Sequence, residues 1–190
     1  MMPARQPGHL RAVQFPSELP RSDPPDGDPR ALREVLGRFA TGITVVTSAG
    51  EEPHGMTANS FSSVSLDPPL VLVCVDRGAV MHDTIVANQG FAVSMLGADQ
   101  EHVARHFASK GREPGPAQFD AVDWAPGPRT GAPLMVGALA WLECRLSQMY
   151  EGGDHSIFLG EVLGLGRGTG REALLFFGGA YHQVLSTHIA

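Results

Sequence analysis

The stretch GMTANSFSSVSLDPPLVLVCV, residues 55–75, decides how the chain is read. Its second half, LVLVCV (70–75), is a continuous apolar run and reads as a central strand. Its first half, MTANSFSSVS (56–65), is strand-like, yet it carries the hydroxyls of Thr57, Ser60, Ser62, Ser63 and Ser65 and the amide of Asn59. Asp67-Pro68-Pro69 breaks the chain between the halves. A buried hydroxyl without a partner costs about 1–3 kcal/mol. A strand this polar between apolar strands must therefore face water at an edge, pair internally, or hold a polar ligand.

Upstream, ITVVTS (43–48) is a β-branched strand bounded by the turn-rich AGEEPHG. Before it, Asp28-Pro29 reads as an N-cap with proline at the first helical position. Leu32, Val35, Leu36 and Phe39 recur at helical spacing, which predicts an amphipathic helix over 29–40 packed on a larger body. Downstream, MHDTIVANQ (81–89) reads as a short helix ending at Gly90, and FAVSM (91–95) as a strand. DQEHVARHFAS (99–109) is a helix with Val103 and Phe107 on one face. Residues 110–133 form a Pro/Gly-rich connection longer than most loops, the length of a lid or a disordered segment. Then Ala140, Leu142, Cys144 and Leu146 alternate with Trp141, Glu143, Arg145 and Ser147, a half-buried strand. IFLGEVLGLG (157–166), ALLFF (173–177) and YHQVL (181–185) complete a set of about eight strands. The strands follow one another mostly through turns, which favours a mainly β, antiparallel sheet or barrel over a doubly wound parallel sheet. Glycines in the late strands fit sharp bends.

Of 15 prolines in 190 residues, seven lie in the first 29, so residues 1–28 read as an extended or disordered leader and 29–190 as one domain. Such a domain is too short to give two nucleotide cofactors separate modules. Lys+Arg 14 against Asp+Glu 20 gives a net charge of −6 with no basic stripe, which excludes nucleic acid as a partner. No apolar run reaches the roughly 18 residues of a membrane span, and the first residues lack the apolar core of a secretory signal. Cys74 and Cys144 read as free thiols in a reducing cytoplasm.

Several catalytic motifs fail. GLGRGTG (164–170) lacks the third glycine of a dinucleotide loop, because Thr169 stands there, and it reads as a hairpin turn. Lys110, the one lysine, is followed by glycine, so there is no Walker loop, and no GxSxG elbow occurs. His102 and His106 have metal-ligand spacing, but Val103 replaces the glutamate of a zincin and no third ligand is near, so both read as solvated. Gly152-Gly153-Asp154-His155 survives: two glycines admit a ligand close to the backbone, and an imidazole both donates and accepts. The alternative is an exposed turn.

With these segments in view, the chain resembles the flavin reductase family, the short reductase component of two-component flavin-dependent monooxygenases. The likeness runs from about Leu32 to Leu185 and rests on FATGITVVTS, GMTANSFSSVSLDPPLVLVCVDR, FAVSML, ARHFAS and GDHSIFLGEV, in that order. It implies a split, FMN-binding-type antiparallel Greek-key β-barrel, acting as a homodimer with flavin near the subunit interface. It implies that Thr57, Ala58, Asn59 and Ser60 line the flavin ring and ribityl chain, with Ser63, Val64 and Ser65 offering hydroxyl and backbone groups. Asp76 and Arg77, with Thr84 in the next helix, would lie toward the ribityl phosphate, Asp76 acting through its backbone because a carboxylate repels phosphate. Lys110 is either a phosphate or dinucleotide contact or a solvated lysine; His155 would face the nicotinamide as the catalytic residue.

The implied activity is NAD(P)H-dependent reduction of free FMN or FAD, supplying reduced flavin to a partner monooxygenase, which diffusion alone can reach. Hydride passes from nicotinamide C4 to flavin N5, so the protein's task is to stack two rings and stabilise charge near N1. With no added basic cluster for a 2′-phosphate, NADH is favoured over NADPH. The alternative is an FMN-binding electron-transfer protein on the same barrel without nicotinamide turnover.

Overall fold

The structure, a computed structural model, describes residues 29–184, so the leader expected over 1–28 lies outside the described residues. Helix α1 (Pro29–Leu36) and the short strand β1 (Thr41–Gly42) come first. Strands β2 (Thr44–Ser48), β3 (His54–Ala58), β4 (Ser62–Leu66) and β5 (Pro69–Asp76) follow. Helix α2 (Val80–Asn88), strand β6 (Gly90–Met95) and helix α3 (Glu101–Ala108) form the middle. The chain ends in β7 (Trp124–Pro126), β8 (Pro133–Met135), the long β9 (Ala140–Gly152) and β10 (His155–Arg167), then β11 (Leu174–Phe177) and β12 (Ala180–Gln183). The protein is mainly β with few helices, and its paired strands are antiparallel.

Seven strands form the principal sheet in the order β3-β2-β6-β9-β10-β5-β4. The polar segment expected to be one strand is therefore two, and they occupy opposite edges. Only Asn59, Ser60 and Phe61 separate β3 from β4. Residues extend at most about 3.6 Å each, so the two edges cannot lie far apart and the sheet must curl. Bulges assist, with register shifts at Leu159/Gly160 and Val162/Gly164 against β9 and at Ser63/Ser65 against β5. Among the described residues no ladder joins β3 to β4, so the curled sheet is not closed.

The strand buried on both faces is β2, not β5. Val46 enters one core cluster with Val73, Ile85, Phe91 and Phe158, while Val45 enters a second with Leu96, Val103, Phe107 and Leu174. In β5 only Val71, Val73 and Val75 are buried; Leu70, Leu72 and Cys74 are half-buried, as befits a strand beside the edge. Gly160 sits where an added Cβ would lie 2.5 Å from the Phe91 ring and 2.9 Å from Cys144 Cβ. Cys144 is buried, and desolvation together with the Glu143 charge pushes its thiol up to about 12. Cys74 and Cys144 are both free: Cys74 faces Ile157, which faces Tyr150, six residues along β9 from Cys144. That separation is beyond disulfide reach.

Other parts of the chain differ from their local signal. Glu143, which alternates with the apolar residues of β9, is itself buried because the turn at 127–131 folds over it; its Oε1 accepts from Arg129 N–H (2.9 Å), Thr130 N–H (2.8 Å) and Thr130 Oγ1 (2.9 Å). The segment 164–170 is not a hairpin turn, since Gly164–Arg167 belongs to β10 and the chain then crosses to the sheet β1-β11-β12. Helix α1 ends at Leu36, and none of its residues is buried. Among the described residues nothing covers its apolar stripe, with Phe39 77% exposed just beyond it, and its end is tied down by Gly178 N–H donating to Gly37 O.

The long connection after α3 is ordered by a buried polar hub. Gln118 Oε1 accepts from Gly55 N–H (2.8 Å), and its amide donates to Pro53 O and Gly115 O (both 2.8 Å). His106, expected in solvent, is half-buried with Nε2 2.7 Å from Gln118 O; His102 is exposed as expected. Beside the hub, Arg112 Nη2 donates to His54 Nε2 at 3.0 Å. Burial first, then the Arg112 charge, lowers His54 from 6.5 to about 4.

Two outcomes follow from this packing. Gly160→Ala should lower stability by about 1–3 kcal/mol in urea melts, because neither Phe91 nor the β9 backbone can retreat freely. His54 binds a proton more readily unfolded than folded between pH 6.5 and about 4, so stability should fall as pH falls through that window. His54→Gln, which keeps an acceptor, should flatten that part of a pH–stability curve; an unchanged slope would place the effect elsewhere.

Candidate functional site

Sheet register brings the end of β5 and the start of β10 together: Asp76 pairs with His155, and Arg77 N–H donates to Asp154 O at 3.0 Å. Asp76 Oδ1 accepts from Gly78 N–H at 2.7 Å, which satisfies the carboxylate inside its own turn and leads the chain into α2. Gly153, at φ +76°, makes the β9–β10 turn that aims Asp154 and His155 outward. His155 Nδ1 lies 2.8 Å from Asp154 Oδ1. That hydrogen bond, then the His155 charge, holds the exposed Asp154 carboxyl below its usual range, and the charge of Arg33 in α1 acts in the same direction.

The link between the two edge strands meets this rim. Past Ser62, β4 no longer covers β5, and Cys74 would face an empty edge. Ser60 Oγ takes the place of the missing strand, donating to Cys74 O (2.8 Å) and accepting from Cys74 N–H (3.1 Å). Asn59 is exposed at the head of the same link. Asn59, Ser60, Asp76, Arg77 and His155, which are distant in sequence, thus share one rim.

Other expected contacts sit elsewhere. Thr57 Oγ1 donates to Ala104 O in α3 (2.7 Å), and Ala58 is buried with its carbonyl accepting from Thr44 Oγ1 (2.8 Å). Ser63, Val64 and Ser65 lie on the exposed edge strand β4, with Ser63 opposite Val71, five residues back from Asp76 along β5. At strand rise that is about 17 Å from the His155 end. Thr84 is the fifth residue of α2, its hydroxyl donating to Val80 O (2.8 Å). Lys110 is exposed beyond α3, toward the His54 end of β3 and away from Asn59.

One neighbour of the rim had no signal in the sequence. His82, on the first turn of α2, has Nε2 3.0 Å from Ser156 Oγ and its ring edge-on to Phe158 at 5.2 Å. Ser156 is buried beside His155, so this contact fixes the start of β10 against α2. The partners are 74 residues apart, and only the β5–β10 register discloses them. Asp83 Oδ1 completes a Ser–His–Asp line at 3.2 Å from His82 Nδ1. The serine is enclosed, which leaves it unfit as a nucleophile. Among the described residues no group of three or more His, Cys, Asp or Glu could hold a metal. The rim therefore offers hydrogen bonds, a guanidinium and an imidazole, the means to bind and orient.

Comparison with known proteins agrees with that chemistry. The chain is 59% identical over 152 residues to the NADH-dependent FAD reductase of Streptomyces globisporus, covering 80% of this chain and 84% of that one. BorF, the flavin reductase component of a bacterial two-component tryptophan halogenase, superposes with TM-score 0.80 at 53% identity over 83% of this chain and 98% of its own. The Streptomyces globisporus NADH:FAD oxidoreductase SgcE6, solved with NAD and FAD fragments, superposes with TM-score 0.79 at 54% identity over 84% and 96%. The flavin reductase like domain profile matches residues 36–185, which span the curled sheet, both edge strands and the whole rim, and the chain belongs to that family.

Proposed function

We propose that the protein is an NADH-dependent flavin reductase that reduces free FMN or FAD and releases it to a separate flavin-dependent oxygenase. The observation that carries the reading is the convergence of Asn59, Ser60, Arg77 and His155 on one rim in a chain this close to NADH-dependent FAD reductases. The rim fits a flavin. The Asp76 carboxylate is turned back into its own turn by Gly78 N–H, and the Arg77 guanidinium makes no ion pair among the described residues. NADPH use is less favoured, and flavin transfer by diffusion suffices for the oxygenase partner.

When bound, flavin supplies a hydride acceptor at N5 and the nicotinamide supplies the hydride. Asn59 and Ser60 would orient the flavin edge; Thr57 and Ala58, held by Ala104 and Thr44, back that link from within the fold, and Ser63, Val64 and Ser65 lie farther along the exposed edge strand β4. Arg77 would attract the flavin phosphate, with Thr84 bordering that side, while Lys110, at the far end of β3, is left as a dinucleotide contact or a solvated lysine. His155, its ring held through Nδ1 by Asp154, turns Nε2 to the nicotinamide carboxamide and fixes ring stacking. The curled seven-stranded sheet is the larger part of a split, Greek-key barrel.

A second copy completes it. The stripe of Leu32, Val35 and Leu36 on α1 with Phe39 is uncovered, and Leu66 at the edge of β4 is 94% exposed; a homodimer gives both a partner. Two free thiols held apart on separate strands support a cytoplasmic setting, and among the described residues no helix is long and apolar enough to cross a membrane.

A steady-state matrix of NADH and NADPH against FMN, FAD and riboflavin tests the activity. Turnover with NADH is expected, whereas anaerobic NADH that fails to bleach bound flavin near about 450 nm would favour the electron-transfer alternative. His155→Ala should raise KM for NADH about three- to tenfold, the worth of one hydrogen bond, with flavin affinity unchanged. Leu36→Glu with Phe39→Glu should give a monomer by sedimentation if the stripe is the subunit contact.

A further inference from the structure

The two halves of the rim come from separate turns, and one imidazole joins them. Asp76 and Arg77 lead into α2, whose Met81 and Ile85 are buried in the core, so the helix is a fixed post. Asp154 and His155 come out of the Gly152-Gly153 turn, which is exposed. Successive residues of a strand face opposite sides. His155 is half-buried on the side of the rim, whereas Ser156 and Phe158 are buried on the other face. His82 of α2 touches both: its Nε2 lies 3.0 Å from Ser156 Oγ, and its ring stands edge-on to Phe158. Nδ1 is 3.2 Å from Oδ1 of the exposed Asp83. With Nδ1–H donating to that carboxylate, Nε2 is left as the acceptor for the Ser156 hydroxyl. Among the described residues no other group hydrogen-bonds Ser156 Oγ.

We propose that His82 is a positioning residue for the reaction: through Ser156 it holds the first residues of β10, and so the place of the His155 ring. The inference rests on the reading that His155 meets the nicotinamide. Without His82 the Ser156 hydroxyl is stranded in the core, a cost the strand end can relieve by fraying toward water. His155 is the adjacent residue, so a fraying end carries it along. Stacking two rings for transfer between them tolerates little such displacement. The link bearing Asn59 and Ser60 is held by Cys74 of β5 instead, so flavin contacts there do not depend on His82.

The test is steady-state kinetics in NADH, with flavin affinity from fluorescence quenching, for wild type, His82→Ala, His82→Phe, His82→Gln, His155→Ala and the His82→Ala/His155→Ala double variant. His82→Ala and His82→Phe should raise KM for NADH about three- to tenfold, as for His155→Ala, with flavin affinity held within about twofold. His82→Gln, whose amide can serve Ser156, should bring KM back toward wild type. In the double variant KM should match that of His155→Ala, since His82 has nothing further to act through. If His82→Phe, which keeps a ring against Phe158, behaves as wild type, packing suffices and the role of the hydrogen bond is overturned. If the two effects multiply in the double variant, or flavin affinity falls in parallel, His82 does not act through His155 and the inference falls. If His155→Ala raises KM and His82→Ala does not, the nicotinamide reading stands and the role of His82 falls. If His155→Ala leaves KM unchanged, that reading fails first and the inference with it. Should His82→Ala fail to fold, His82→Phe, which retains the ring volume, carries the comparison.

Discussion

A single hydroxyl ties the link between the two edge strands to β5. Ser60 Oγ serves both the N–H and the carbonyl of Cys74, the pair of groups that a continuing β4 would have served. Without it, β5 would end in an unsatisfied peptide next to the turn that bears Asp76 and Arg77. With it, the three-residue link from β3 to β4 is pinned to the sheet interior's neighbour strand, and the curl has a fixed radius there. The rim exists because that link and the β5–β10 pairing meet at the same end of β5.

The same economy governs the opposite end of β3. Thr57 is anchored to Ala104 in α3, Gly55 to Gln118 and Arg112, and His54 to Arg112. Four consecutive residues of one five-residue strand are thus committed to side-chain or backbone partners outside the sheet, counting the half-buried Met56 packed on the core. A strand bound in this way cannot slip by one residue without breaking several buried hydrogen bonds, and buried polar groups are costly to strand. Polar residues that look unsuited to a core act here as register marks.

Much of this was legible beforehand. Periodicity located most of the strands and all three helices, because a one-sided core leaves a period of two or of 3.6 in the chain. The hydroxyl-rich segment and the Gly-Asp-His turn were legible as unusual, and the order of conserved-looking blocks pointed to flavin reductases. What stayed hidden was relational. MTANSFSSVS reads as one strand because nothing local marks Asn59–Phe61 as the join between opposite edges. LVLVCV looks more central than ITVVTS because hydrophobicity alone does not reveal which strand lies between two cores. His106 reads as solvated, and the burial of Glu143 goes unsignalled, because their covers, the Gln118 hub and the turn at 127–131, come from segments with no periodic signal. The stripe on α1 was legible, but among the described residues nothing buries it.

The thiols bear on how the protein survives its own chemistry. Reduced flavin that meets dioxygen away from an oxygenase yields peroxide, and peroxide attacks thiolate rather than thiol. Desolvation and the neighbouring Glu143 charge push the Cys144 thiol up to about 12, which keeps it in the thiol form at neutral pH. Desolvation raises Cys74 as well, and the Ser60 link lies across its backbone. The strand framework that shapes the rim therefore also keeps its sulfur in the slow-reacting form.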